Sequence, residues 1–143
     1  MENENEKIPS FFRFEDLRIY HKALDYNKWV YNNTITFPDG SPLIKPFTFA
    51  AHSIAINIAE GSARNKSQFI YYLKTAKTAL RECIVYTSIA YQDDLISPQA
   101  NDESRNFLME LTKMIGALIA SLQKSQREKE NEHDNDHDHD AEL

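Results

Sequence analysis

Residues 66–92 read KSQFIYYLKTAKTALRECIVYTSIAYQ, and their apolar spacing is that of a single long helix. At about 100° per residue, Phe69, Leu73, Ala76, Leu80, Cys83, Thr87 and Tyr91 fall on one arc. Tyr71, Val85 and Ile89 fall on another, with Thr78 between them. The basic residues Lys66, Lys74, Lys77 and Arg81 occupy an arc of about 80° between the two stripes. Asn65 and Gln68 stand three apart, the spacing of an N-terminal capping box. At about 1.5 Å per residue, the helix spans about 40 Å.

The same periodicity extends to either side. Toward the C-terminus, Ser97-Pro98 is a helix start, with serine as cap and proline in the first turn. Phe107, Leu108, Leu111, Met114, Ile115, Leu118, Ile119 and Leu122 then make one broad stripe, predicting a fourth helix over 99–124. Toward the N-terminus, Phe47, Ala51, Ile54, Ala55 and Ile58 predict a second helix over 42–61. Pro46 argues for a distorted first turn or a later start, and Gly61 suits a C-terminal cap. Ala50, Ala51, Ala55 and Ala59 are small enough to let a neighbouring helix come close. Turn formers fill Thr36-Phe37-Pro38-Asp39-Gly40-Ser41-Pro42.

A first helix is expected over 15–34, with Leu17, Tyr20, Leu24 and Tyr31 on one face and Ile19, Ala23, Tyr26 and Val30 on an adjoining one. Phe11, Phe12 and Phe14 form an apolar lead-in to it. Four helices with short connections predict an all-α, antiparallel up-down-up-down four-helix bundle over 11–126. Disordered acidic termini are expected at 1–10 and 127–143. The second apolar stripes on the first and third helices need a partner, so a homo-oligomer is expected.

Composition narrows the function. The chain has 143 residues, about one domain, with three glycines and one cysteine. That argues against Gly-rich phosphate loops, a cysteine zinc cluster and an intrachain disulfide. The polar, acidic start is not a secretory signal, and no apolar run reaches 18 residues, so a cytoplasmic protein without a membrane partner is expected. Residues 1–7 carry −2 and residues 128–143 carry −7, so the −6 of the whole chain leaves +3 on residues 8–127. No acid lies between Glu60 and Glu82. Lys66, Lys74, Lys77 and Arg81 are therefore the candidate nucleic-acid-binding residues, although cations flanking an apolar stripe also serve as plain helix surface. Tyr71 and Tyr72 are either stacking partners for bases or interface and core residues.

No catalytic residue, cofactor or metal is assigned. Glu60 and His52 lie eight residues apart, about 12 Å along one helix, too far for direct contact. Cys83 sits on the apolar arc as core filler. The tail His133-Asp134-Asn135-Asp136-His137-Asp138-His139-Asp140 has metal-ligand chemistry without a preformed site.

The stretch from Ala50 to Arg64 reads AAHSIAINIAEGSAR. It resembles the S-I-x-x-N-I-A-E-G signature of the bacterial four-helix-bundle family of 23S rRNA intervening-sequence proteins, matching at Ser53, Ile54, Asn57, Ile58, Ala59, Glu60 and Gly61, with Arg64 just beyond. Phe14 to Leu17, Thr36-Phe37-Pro38 and Ser67 to Phe69 match as well, so the resemblance covers about residues 11–125. The family is also similar to the accessory variability determinant protein of diversity-generating retroelements. That resemblance implies a pentamer, binding of RNA or a nucleic-acid-associated protein, and no enzymatic activity. A structural or regulatory protein-interaction module without nucleic acid is the competing expectation. Physically, Ser53, Asn57, Glu60 and Arg64 share one helix side, where Asn57 is expected to tie helices together and Glu60 to pair with Arg64 or Arg81.

Overall fold

The computed structural model describes residues 8–141, with side chains as far as Asp134. After a 3-10 turn at Arg13–Asp16 come four helices: α1 Arg18–Thr34, α2 Ile44–Ser62, α3 Lys66–Gln92 and α4 Pro98–Ala141. Each helix packs on its neighbours in the chain, and α1 closes the ring on α4. The fold is the expected all-helical four-helix bundle.

Helix starts follow local chemistry. The Asn65 side chain accepts a hydrogen bond from the Gln68 N–H at 2.9 Å, and Ser97 Oγ accepts one from the Ala100 N–H at 3.0 Å. α2 begins at Ile44 rather than Pro42. Pro46 then lies in its first turn, where a missing N–H costs no intrahelical bond. Gly40, at φ +78, turns the chain between α1 and α2.

The core is built from Ile19, Ala23, Tyr26 and Val30 of α1, Phe47, Ile54 and Ile58 of α2, Leu73, Leu80 and Cys83 of α3, and Leu108, Leu111 and Ile115 of α4. Of the two stripes on α1, the Ile19–Val30 stripe faces the core, while Leu24 and Tyr31 are exposed. On α3 the Phe69–Thr87 arc faces inward, and Tyr71, Val85, Ile89 and also Tyr91 face outward.

Two expectations change. Gly61 does not cap α2: the helix continues to Ser62, and Gly61 is buried within it. A Cβ there would lie 2.6 Å from Tyr72 Cβ and 2.9 Å from Phe69 Cδ1, so the glycine is needed for the close approach of α2 and α3. α4 does not stop at Lys124 but continues to Ala141, so the acidic tail, expected to be disordered, is helical as far as that residue. No glycine or proline interrupts 125–141, and its Gln, Glu, Lys and Arg residues are good helix formers. Residues 1–7 lie outside the described residues, while Ser10 is held by Asp16 and Glu15.

Candidate nucleic-acid interface

The signature of α2 divides between core and surface. Ile54 and Ile58 are fully buried, and Ala59 and Ser53 are half-buried. Asn57 does not tie two helices together: its Nδ2 donates to the Ser53 carbonyl at 2.8 Å and to Ser53 Oγ at 3.0 Å, one turn back in the same helix. The side chain is half-buried and finds a partner on its own turn, which satisfies it without a neighbouring helix.

Glu60 pairs with Arg64 at 2.6 Å on the surface, not with Arg81. The Arg64 guanidinium also lies over the Tyr72 ring, 5.3 Å from its centroid. The Glu60 hydrogen bond, and then the Tyr72 charge, push the Arg64 pKa further above its ordinary value. Tyr72 in turn meets Tyr71, ring centroids 5.5 Å apart and planes nearly perpendicular. The Glu60–Arg64 pair is one of the two expected from spacing; the stacking of Arg64 on Tyr72, which joins the end of α2 to α3, was not expected.

The basic arc is placed on the outside of α3. Lys66, Lys74 and Arg81 are exposed and Lys77 is half-buried. Lys66 donates to Ser125 Oγ, and Gln126 Nε2 donates to Ser67 Oγ at 2.6 Å, so the N-terminal end of the arc is fastened to α4. Lys74, Lys77 and Arg81 are in no ion pair among the described residues. Fifteen residues separate Lys66 from Arg81, about 22 Å along one face.

A second surface lies between α1 and α2. An open groove of about 400 Å³ is lined by Phe14, Tyr20, Leu24, Asn27, His52, Ala55, Ile56 and Ala59. Leu24 and Ile56 are exposed within it, and Tyr31 and Phe49 are exposed two turns along their respective helices. Asn27 Nδ2 bridges the Ala23 and Ala51 carbonyls at 2.8 and 2.9 Å, holding the two helices in place beneath the groove.

Cys83 is buried, and burial pushes its thiol up to about 12, so it is protonated and inert at neutral pH. Among the described residues no three His, Cys, Asp or Glu side chains come together to hold a metal. The tail residues from Asn135 onward, including His137 and His139, have side chains outside the described residues. No helix is long and apolar enough to cross a membrane among the described residues.

No curated protein matches the chain. A crystal structure of a protein with unknown function from the S23 ribosomal protein family of Bacteroides thetaiotaomicron is similar, with a TM-score of 0.66 and 18% identity. The match covers 71% of this chain and 97% of that one, and at such identity it speaks for the fold alone. The family model of the 23S rRNA-intervening sequence protein matches residues 15–117, which include the Ser53–Gly61 signature and the whole of α3. By that match over most of its length, the chain belongs to the 23S rRNA-intervening sequence protein family.

Proposed function

We propose that this chain is a non-enzymatic, homo-oligomeric protein of the bacterial cytoplasm that binds RNA. The observation that carries the reading is the outer face of α3. Lys74, Lys77 and Arg81 lie along it without an ion-pair partner among the described residues, in a stretch with no acid from Ser62 to Arg81. Phosphate neutralised by such an arc releases counterions, so affinity for single strands falls with a log–log salt slope of about −0.7 per phosphate contacted. Changing Lys74 and Lys77 together to Gln flattens that slope by about two contacts' worth. Filter binding of total RNA between 50 and 200 mM salt, on the order of the range in which such contacts are lost, tests it. A protein that retains no RNA at the low end sinks the reading.

The groove between α1 and α2 supports the oligomer. Leu24, Tyr31, Phe49 and Ile56 expose apolar surface that a second copy would bury, at about 1.5–3 kcal/mol per large side chain. Five copies are the first guess, taken from the resemblance to the accessory variability determinant protein. Light scattering should then give a multiple of the 16.6 kDa chain. The same groove favours the second reading, a protein-interaction module without nucleic acid. If the protein retains a protein partner from lysate in place of RNA, and Ile56→Glu releases that partner, the second reading takes over.

A further inference from the structure

We propose that Tyr71 is a base-stacking platform, which makes the α3 surface a reader of single-stranded rather than duplex RNA. The inference rests on the RNA reading above and narrows its substrate class. Tyr71 is 67% exposed, so its ring is open to a ligand. It is one turn from Lys74 and one turn from Ser67, so its ring stands beside the cationic arc and within the acid-free stretch.

Its neighbour Tyr72 is not equivalent. The face of Tyr72 is covered by the Arg64 guanidinium, and its Cβ lies against Gly61. Tyr72 stands nearly perpendicular to Tyr71, which braces the Tyr71 ring while leaving it exposed. An exposed ring braced by a second ring, next to unpaired cations, combines the two elements by which proteins hold single strands: stacking on the base and charge along the backbone. In an RNA duplex the bases are stacked on one another and offer no face to Tyr71, so a duplex gains only the charge term.

The test is fluorescence anisotropy with two probes, an unstructured 12-nucleotide RNA and the 12-base-pair duplex made from it, at low salt. Tyr71→Ala should weaken the single strand by about 5- to 100-fold and leave the duplex within about twofold. Tyr71→Phe should restore single-strand binding, because the ring and not the hydroxyl stacks. An unchanged far-ultraviolet spectrum and melting curve for Tyr71→Ala are expected from its exposure. Equal loss on both probes, or no loss on either while the wild type still binds, overturns the stacking role and leaves the arc standing. Failure of the wild type to bind either probe removes the RNA reading itself and the platform with it. A change in oligomer mass on Tyr71→Ala makes the ring a subunit contact and overturns the proposal.

Discussion

The two ends of α3 are held in opposite ways. At its start, α2 and α3 meet through Gly61, where the absence of a side chain lets Tyr72 Cβ and Phe69 come within contact. Near its end, α1, α3 and α4 meet through hydroxyls. Tyr26 OH and Ser104 Oγ are 2.9 Å apart, Ser104 Oγ and Thr87 Oγ1 2.7 Å apart, and Thr87 Oγ1 donates to the Cys83 carbonyl at 2.8 Å. Because the Thr87 proton goes to that carbonyl, the chain is polarised: Tyr26 donates to Ser104, and Ser104 donates to Thr87. All three residues are buried. The first tie is a matter of shape and is indifferent to pH. The second is a matter of partners, and every member depends on the next.

Breaking the hydroxyl end should have the largest effect. Ser104→Ala removes the hydroxyl that links Tyr26 to Thr87 and leaves buried polar groups short of a partner, at about 1–3 kcal/mol, read as a lower urea midpoint. Replacing all three at once, Tyr26→Phe with Ser104→Ala and Thr87→Val, removes the orphaned groups and should recover most of that loss. If the triple variant is less stable than Ser104→Ala, the network stabilises the fold rather than merely satisfying itself.

The glycine end is next. Gly61→Ala forces a Cβ against the root of Tyr72, which cannot swing away, and overpacking of this kind costs about 1–3 kcal/mol. Alanine's better helix propensity returns about 1 kcal/mol, so a net loss of up to about 2 kcal/mol is expected in thermal or urea melts. A stabilised Gly61→Ala would mean that α2 and α3 can move apart freely.

A third comparison separates the two ends by pH. Cys83, whose backbone carbonyl ends the hydroxyl chain, has its thiol pushed up from 9.0 to about 12 by burial and then by the charge of Glu82. Burial, and then Cys83, push the Tyr26 phenol up as well. The unfolded chain releases the thiol proton first, so stability falls as pH rises from 9.0 toward about 12. The slope from the thiol is about 1.4 kcal/mol per pH unit once the unfolded form is ionised. Urea midpoints at pH 8 and 10 should therefore differ more for the wild type than for Cys83→Ala, while Gly61→Ala should keep the wild-type difference.

Helix number, order and connections were legible because they depend on neighbours in the chain. The Asn65–Gln68 and Ser97–Ala100 caps, the turn around Gly40 and the broad α4 stripe are all local, and all stand in the structure. The two stripes of α1 were legible as stripes, but periodicity is blind to which of them a neighbour covers. That choice came from α4, whose Ser104, Glu103 and Phe107 meet Tyr26 and Trp29. The site was less legible. The charges of the α3 arc could be placed on one face from spacing alone. That Tyr71 is open, that Tyr72 is capped by Arg64 and that Lys66 is fastened to α4 depend on where α2 and α4 lie.

Gly61 and Asn57 mark the boundary most sharply. A glycine near the end of a helical pattern reads as a cap because capping is a property of one chain segment. Its actual role, room for Tyr72, exists only once α3 has turned back beside α2. Asn57 errs the other way. A polar residue on a bundle helix reads as a tie between helices, yet a carbonyl and a hydroxyl one turn back lie within its reach. Sequence carries what is determined within a few residues, since local geometry is the same in any fold. Contacts between residues far apart in the chain are set only when the helices pack, because many registers share one periodicity and side-chain volume selects among them.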